Sequence, residues 1–224
     1  AEQAAPRLHL LLHRSARREG GLLGHLGRPL AALPLRVQAG DVVLVSSSYF
    51  LTYGVKAASG SAWDHVALVA RLEGKRSLRL FEATMDGVAA YLLNDALRAY
   101  LESGAVAVRR LRAARTPAML AALDAFVREV EGRPYNASPW FLLRSSLGAH
   151  EQESDADLSS LFCSQLVGLA LRRMGVLPPG LAASNLLPAH FAAAPATPLS
   201  DAAPAAGPAQ ALAGLLAPAA VAPR

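Results

Sequence analysis

The chain has 224 residues, of which 53% are apolar and 17% charged, and a formal net charge of +5. Its length suits one domain of ordinary size with appendages, and its single cysteine excludes an internal disulfide framework or a multi-cysteine zinc site. No apolar run reaches the roughly eighteen residues that a spanning helix needs, and the basic residues are mostly scattered arginines with few aromatics among them. Those arginines read as solvated surface and not as a nucleic-acid interface, although the charge permits weak contact with an anionic membrane surface.

Residues 1–38 form an N-terminal extension. Their apolar run Leu8–His13, followed by Arg14, Arg17 and Arg18, suits either a helix packed on the domain or the remnant of a targeting segment. The domain begins at the turn Ala39-Gly40-Asp41, and Val42–Val45 reads as a buried strand. A polar loop over 46–62 precedes a second strand, His65–Arg71. Glu73-Gly74-Lys75 turns the chain into a third, Ser77–Glu82, which carries Leu78, Leu80 and Glu82 on one face. A short turn makes strands two and three an antiparallel hairpin. Val88–Leu92 supplies a fourth strand, Asn94–Leu101 a short helix and Val106–Leu111 a further strand.

Thr116-Pro117 is a helix start, with an N-cap side chain followed by proline at the first helical position. Leu120, Leu123, Val127 and Val130 keep the helical period until Gly132. A loop through Pro134-Tyr135-Asn136 and the acidic patch Glu151–Asp157 leads to the segment that holds the cysteine. There Ser159 and Ser160 are N-cap candidates, while Leu166, Val167, Ala170, Leu171 and Met174 give one apolar helical face. Cys163 therefore falls in the first turn of a buried helix, where the dipole and unpaired N–H groups favour a thiolate. A lone cysteine is also what an inert core position looks like. Leu186–Phe191 makes a last packed segment, and 192–224, rich in Ala and Pro, reads as a disordered or loosely attached tail.

Thiol chemistry needs an imidazole to move the proton and a third polar group to orient it. Of the six histidines, His65 alone opens a strongly apolar strand, so its backbone is anchored while its ring stands at the strand mouth. Counted back from the turn at 73–75, His65 and Glu82 are almost equidistant, so the hairpin brings them together. A carboxylate there takes one imidazole nitrogen and leaves the other facing the thiol. A surface histidine and a solvated glutamate that merely end two strands are the plainer alternative.

The order Gly40-Asp41-Val42-Val43, Asp64-His65-Val66-Ala67-Leu68-Val69, Phe81-Glu82-Ala83, Gly132-Arg133-Pro134-Tyr135-Asn136 and Phe162-Cys163-Ser164-Gln165-Leu166-Val167 resembles one known group. It is the circularly permuted branch of the NlpC-type papain-fold superfamily, the YiiX-like group, with lecithin:retinol acyltransferase-like enzymes as more distant relatives. The resemblance spans about residues 39–191. It implies Cys163 as nucleophile, His65 as general base and acid, and Glu82 as the orienting third member. It also puts Tyr135 close to the site, either lining the cleft or helping to hold an oxyanion.

Two departures stand out. Gln165 occupies a position where the family often has glutamate, and is taken for a helix-surface position or one behind the site. The long 46–62 loop reshapes the cleft mouth. Asn136-Ala137-Ser138 is formally a glycosylation sequon, but Pro139 follows it directly.

The expectation is an α+β, permuted papain-like fold with an antiparallel sheet of about four to six strands, on which the cysteine helix and the 117–131 helix pack. The expected activity is cleavage of an amide or ester in a peptide or lipid acyl substrate, through an acyl-enzyme and without a cofactor or metal. Acyl transfer by the same fold and a catalytically silent peptide- or lipid-binding module are the alternatives.

Overall fold

Strand β1, Val42–Ser47, is apolar on both sides because it lies inside the sheet and is covered on both faces. The computed structural model describes residues 37–47, 61–136, 138, 147, 158–177, 181–192, 215–216 and 220–221. The elements after β1 are β2 (His65–Ala70), β3 (Arg79–Thr84), β4 (Gly87–Leu92), α1 (Leu93–Ser103) and β5 (Gly104–Arg109). They continue with α2 (Pro117–Val130), α3 (Cys163–Arg173), a 3₁₀ turn (Ala183–Asn185), α4 (Pro188–Ala192) and β6 (Ala220–Val221). The sheet runs β4-β3-β2-β1-β5-β6, and every neighbouring pair is antiparallel. This is the expected α+β architecture, with six strands. None of the described helices is long and apolar enough to cross a membrane.

Side chains alternate across a strand, and here the alternation sorts them into two cores. Val43, Val45, Ala67, Val69, Leu80, Val106 and Val108 meet Leu93, Ala96 and Leu97 of α1. Val42, Leu44, Val66, Leu68 and Phe81 face the other way. They pack with Leu123, Phe126 and Val127 of α2 and Leu166, Val167 and Ala170 of α3. The cysteine helix and the 117–131 helix thus share one face, and α1 covers the other.

Local chemistry sets the helix ends. Thr116 accepts from the Met119 N–H at 3.2 Å, Pro117 fills the first helical position, and Gly132 leaves α2 with a positive φ of 83°. The start of α3 differs from the serine cap that the sequence suggests. Phe162 is the N-cap, and Gln165 Oε1 reaches back to accept from its N–H at 3.4 Å. Gln165 is only 4% exposed, so it is an inward capping residue and not a helix-surface one.

Two features fasten the domain at its margins. Asp41, fully buried, accepts from the backbone N–H of Gln38 and Leu111 and pairs with Arg115. Arg109, also buried, donates to the Phe191 carbonyl at 2.7 Å and the Leu216 carbonyl at 3.0 Å. Leu216 is buried and bridges Leu111, and Ala220–Val221 pair with β5. The end of the stretch expected to be a loose tail is therefore docked at Leu216, Ala220 and Val221. The expectations for residues 1–36, the loop over 48–60, the acidic patch 151–157 and the rest of the tail fall outside the described residues.

Candidate active site

His65 is the first residue of β2, paired with Val45 of β1. The preceding residue fixes this strand mouth. Asp64 is buried, donates its N–H to the Val45 carbonyl at 3.1 Å, and accepts from the Ser47 N–H and hydroxyl at 3.0–3.1 Å. The imidazole keeps 15% of its side-chain surface open, while Glu82 is wholly buried. His65 Nε2 and Glu82 Oε2 are 2.7 Å apart.

The hairpin register differs in detail from the count about its turn. Leu68 pairs with Phe81, which sets Glu82 level with Ala67, two residues inward of His65. The pair is thus diagonal on one face, a spacing of about 7–8 Å at Cα that long side chains bridge. That face is the one covered by α1. Its Tyr100 donates its hydroxyl to the same Glu82 Oε2 at 2.6 Å, with its ring centroid 5.7 Å from that of His65.

Cys163 is the first residue of α3, 1% exposed and in no disulfide. Although α3 covers the opposite face of the sheet, the thiol and the imidazole meet at the end of β2 and form a side-chain hydrogen bond. Nε2 faces Glu82, so Nδ1 is the nitrogen left for sulfur. Burial alone would lower the pKa of His65. Hydrogen bonds to Cys163 and Glu82, and attraction to both, outweigh it and raise the imidazole from 6.5 to about 10. The structure thus brings together Cys163, His65 and Glu82.

Tyr135 joins them through backbone pairing. Gly87 opens β4 with φ of 103°, and an added Cβ would come within 2.8 Å of the Arg133 carbonyl oxygen. That close approach lets Val88 and Arg133 bond, N–H to carbonyl, at 2.8 Å. Two residues on, Tyr135 bridges Leu161, with Leu161 N–H donating to Pro134 and Asn136 N–H to Leu161. The Tyr135 ring lies 5.7 Å from that of Phe162, the residue before the cysteine. Burial, and then the negative charge on Cys163, raise the Tyr135 hydroxyl above its ordinary value, so it stays protonated.

Behind the site, Gly168 lets α3 sit against the 3₁₀ turn. A Cβ there would meet Leu186 Cδ1 at 2.5 Å and Ala183 Cβ at 3.0 Å. Ser164 donates to the Leu186 carbonyl and ties the first turn of α3 to the same segment. Among the described residues no group of three or more His, Cys, Asp and Glu is arranged to hold a metal ion.

The sequence reading does not include Tyr100, the hold of Asp64 on Ser47 or the capping role of Gln165. The only sequence signal for Tyr100 is a polar-tipped aromatic at the end of an otherwise ordinary amphipathic helix, which does not point to Glu82.

Residues 36–180 match the family described as permuted papain-like amidase enzyme, YaeF/YiiX, C92 family. A similar solved structure is that described as metalloprotein yiiX from Escherichia coli O157:H7. It is 18% identical, with a TM-score of 0.48, and the match covers 62% of this chain and 67% of that one. Comparison with curated proteins finds no match.

Proposed function

Because the chain belongs to the permuted papain-like amidase family, a group of cysteine hydrolases, we propose that it cleaves an amide bond through an acyl-enzyme on Cys163. The observation that carries this reading is that a single imidazole, His65, is bonded to both the cysteine and a buried carboxylate. In this reading the thiol proton already rests on His65 Nδ1 before substrate arrives, and the sulfur attacks the acyl carbon. A tetrahedral intermediate forms, with negative charge on the former carbonyl oxygen. The Cys163 N–H, at the start of α3, and the Tyr135 hydroxyl are the donors suited to that oxygen.

Collapse of the intermediate breaks the C–N bond, and His65 delivers its proton to the departing amine. Water then enters, gives a proton to His65 and attacks the thioester. The C–S bond breaks, the acid is released, and the sulfur is left facing the protonated imidazole. Glu82 accepts from Nε2 throughout and holds the ring in the tautomer this sequence needs. Peptides and lipid acyl amides are the substrate classes that fit this chemistry, and an ester would follow the same steps with an alcohol leaving. Iodoacetamide tests the nucleophile directly. Cys163 is expected to alkylate faster than a free model thiol near neutral pH, and His65→Ala to slow it. Labelling no faster than the model thiol overturns the reading.

A further inference from the structure

Glu82 has an arrangement that orienting an imidazole does not by itself require. Both of its donors, His65 Nε2 at 2.7 Å and the Tyr100 hydroxyl at 2.6 Å, converge on one oxygen, Oε2. The other oxygen, Oε1, is buried and has no hydrogen-bond partner among the described residues. A buried carboxylate held on one oxygen is free to turn about its last bonds unless a second donor fixes the direction of approach. His65 cannot do this alone, because its ring is the group being positioned. Tyr100 comes from α1, whose Leu93, Ala96 and Leu97 are packed into the sheet, so its ring is carried on a fixed element.

We infer that Tyr100 is a positioning residue of this site, its hydroxyl holding the Glu82 carboxylate in the one orientation that keeps His65 turned toward Cys163. The inference rests on the amidase reading above for its catalytic meaning, but the Tyr100–Glu82–His65 linkage stands on geometry alone. The groups that face this linkage come from four elements: Cys163 of α3, Glu82 of β3, Tyr91 of β4 and Tyr100 of α1. Tyr91 also feels the carboxylate, but its own side-chain hydrogen bond is with Thr84. Burial first, and then the adjacent Glu82, push the Tyr100 hydroxyl well above its ordinary value, so it remains a donor across the working pH range. A position that needed only ring packing against His65 would be served equally by phenylalanine.

The test uses Tyr100→Phe, which keeps the ring and removes the donor, alone and combined with Glu82→Gln. Two readouts are taken on the full chain: the NMR titration of the His65 imidazole and the rate of Cys163 alkylation by iodoacetamide. In Tyr100→Phe the His65 midpoint is expected to fall by about one pH unit from its wild-type value, and alkylation to slow about 10-fold. In the Glu82→Gln background the same change is expected to add nothing, because Tyr100 acts only through that carboxylate. An unchanged or raised His65 midpoint in Tyr100→Phe, or full additivity with Glu82→Gln, overturns the inference. Should wild-type Cys163 react no faster than a free thiol, the amidase reading fails instead. The imidazole titration still decides whether the tyrosine acts on His65.

Discussion

His65 and Glu82 meet diagonally, with Glu82 level with Ala67 and its Oε2 2.7 Å from the imidazole Nε2. The carboxylate is wholly buried, so its charge acts on the imidazole with little screening by water. Glu82→Gln keeps the size of the side chain and removes that charge. It is expected to slow Cys163 alkylation by iodoacetamide about 10- to 100-fold while leaving the circular dichroism of the fold unchanged. A rate within about twofold of wild type would assign Glu82 to structure alone.

The pH dependence follows from the imidazole raised to about 10. A histidine with a raised value stays protonated on the acid side of it, so His65 carries a proton throughout the neutral range and loses it as pH rises through about 10. The step that protonates the leaving amine should therefore persist to alkaline pH and fail there. Cys163→Ala removes one of the two partners that hold the proton, while burial continues to oppose the charged form. NMR titration of that variant is expected to show the His65 midpoint fallen from about 10 toward 6.5.

Tyr135 separates two chemistries at one sulfur. Alkylation by iodoacetamide builds no oxyanion, whereas amide cleavage does. Tyr135→Phe is expected to leave the alkylation rate close to wild type and to slow turnover of an amide substrate about 10- to 100-fold. A loss shared equally by both reactions would make Tyr135 a packing residue beside Phe162.

Gly87 is the hinge of a structural path to the site. Its positive φ and the 2.8 Å approach to the Arg133 carbonyl leave no room for a side chain. Gly87→Ala is expected to cost about 1–3 kcal/mol of stability, read as a lower urea midpoint with an unchanged slope. Because the same contact leads on to Pro134 and Tyr135, the variant should also lose amide turnover more than alkylation.

Much of this architecture is legible in the chain itself, because the informative segments are short, apolar and clearly punctuated. Val42–Val45 and His65–Ala70 are too continuously apolar for anything but buried strands, and Gly74 marks the turn between β2 and β3. Thr116-Pro117 and Gly132 bracket α2 at nearly its observed ends. The joining of His65 to Glu82 follows from the hairpin, but the two-residue offset does not. A count about a turn assumes a tight loop, whereas residues 71–78 lie between the paired strands. For Gln165 only the helix-surface alternative fails, and for a different reason: a polar side chain inside a helical period looks solvated until its capping bond to Phe162 is seen. The docking of Leu216 and Ala220–Val221 has no sequence signal either, since it depends on Arg109 and the β5 edge, far away along the chain. Tyr100 was invisible for the same reason, because its partner lies on another element.

The central claim is that sulfur at residue 163 carries the acyl group during turnover. The most direct measurement is mass spectrometry of the full-length protein, quenched in acid during reaction with a mixed library of amides and esters. The account predicts a mass increase equal to an acyl group, mapped to the peptide that contains Cys163 and absent from Cys163→Ala. Turnover of the same library with no adduct on Cys163, and with Cys163→Ala still active, would contradict it.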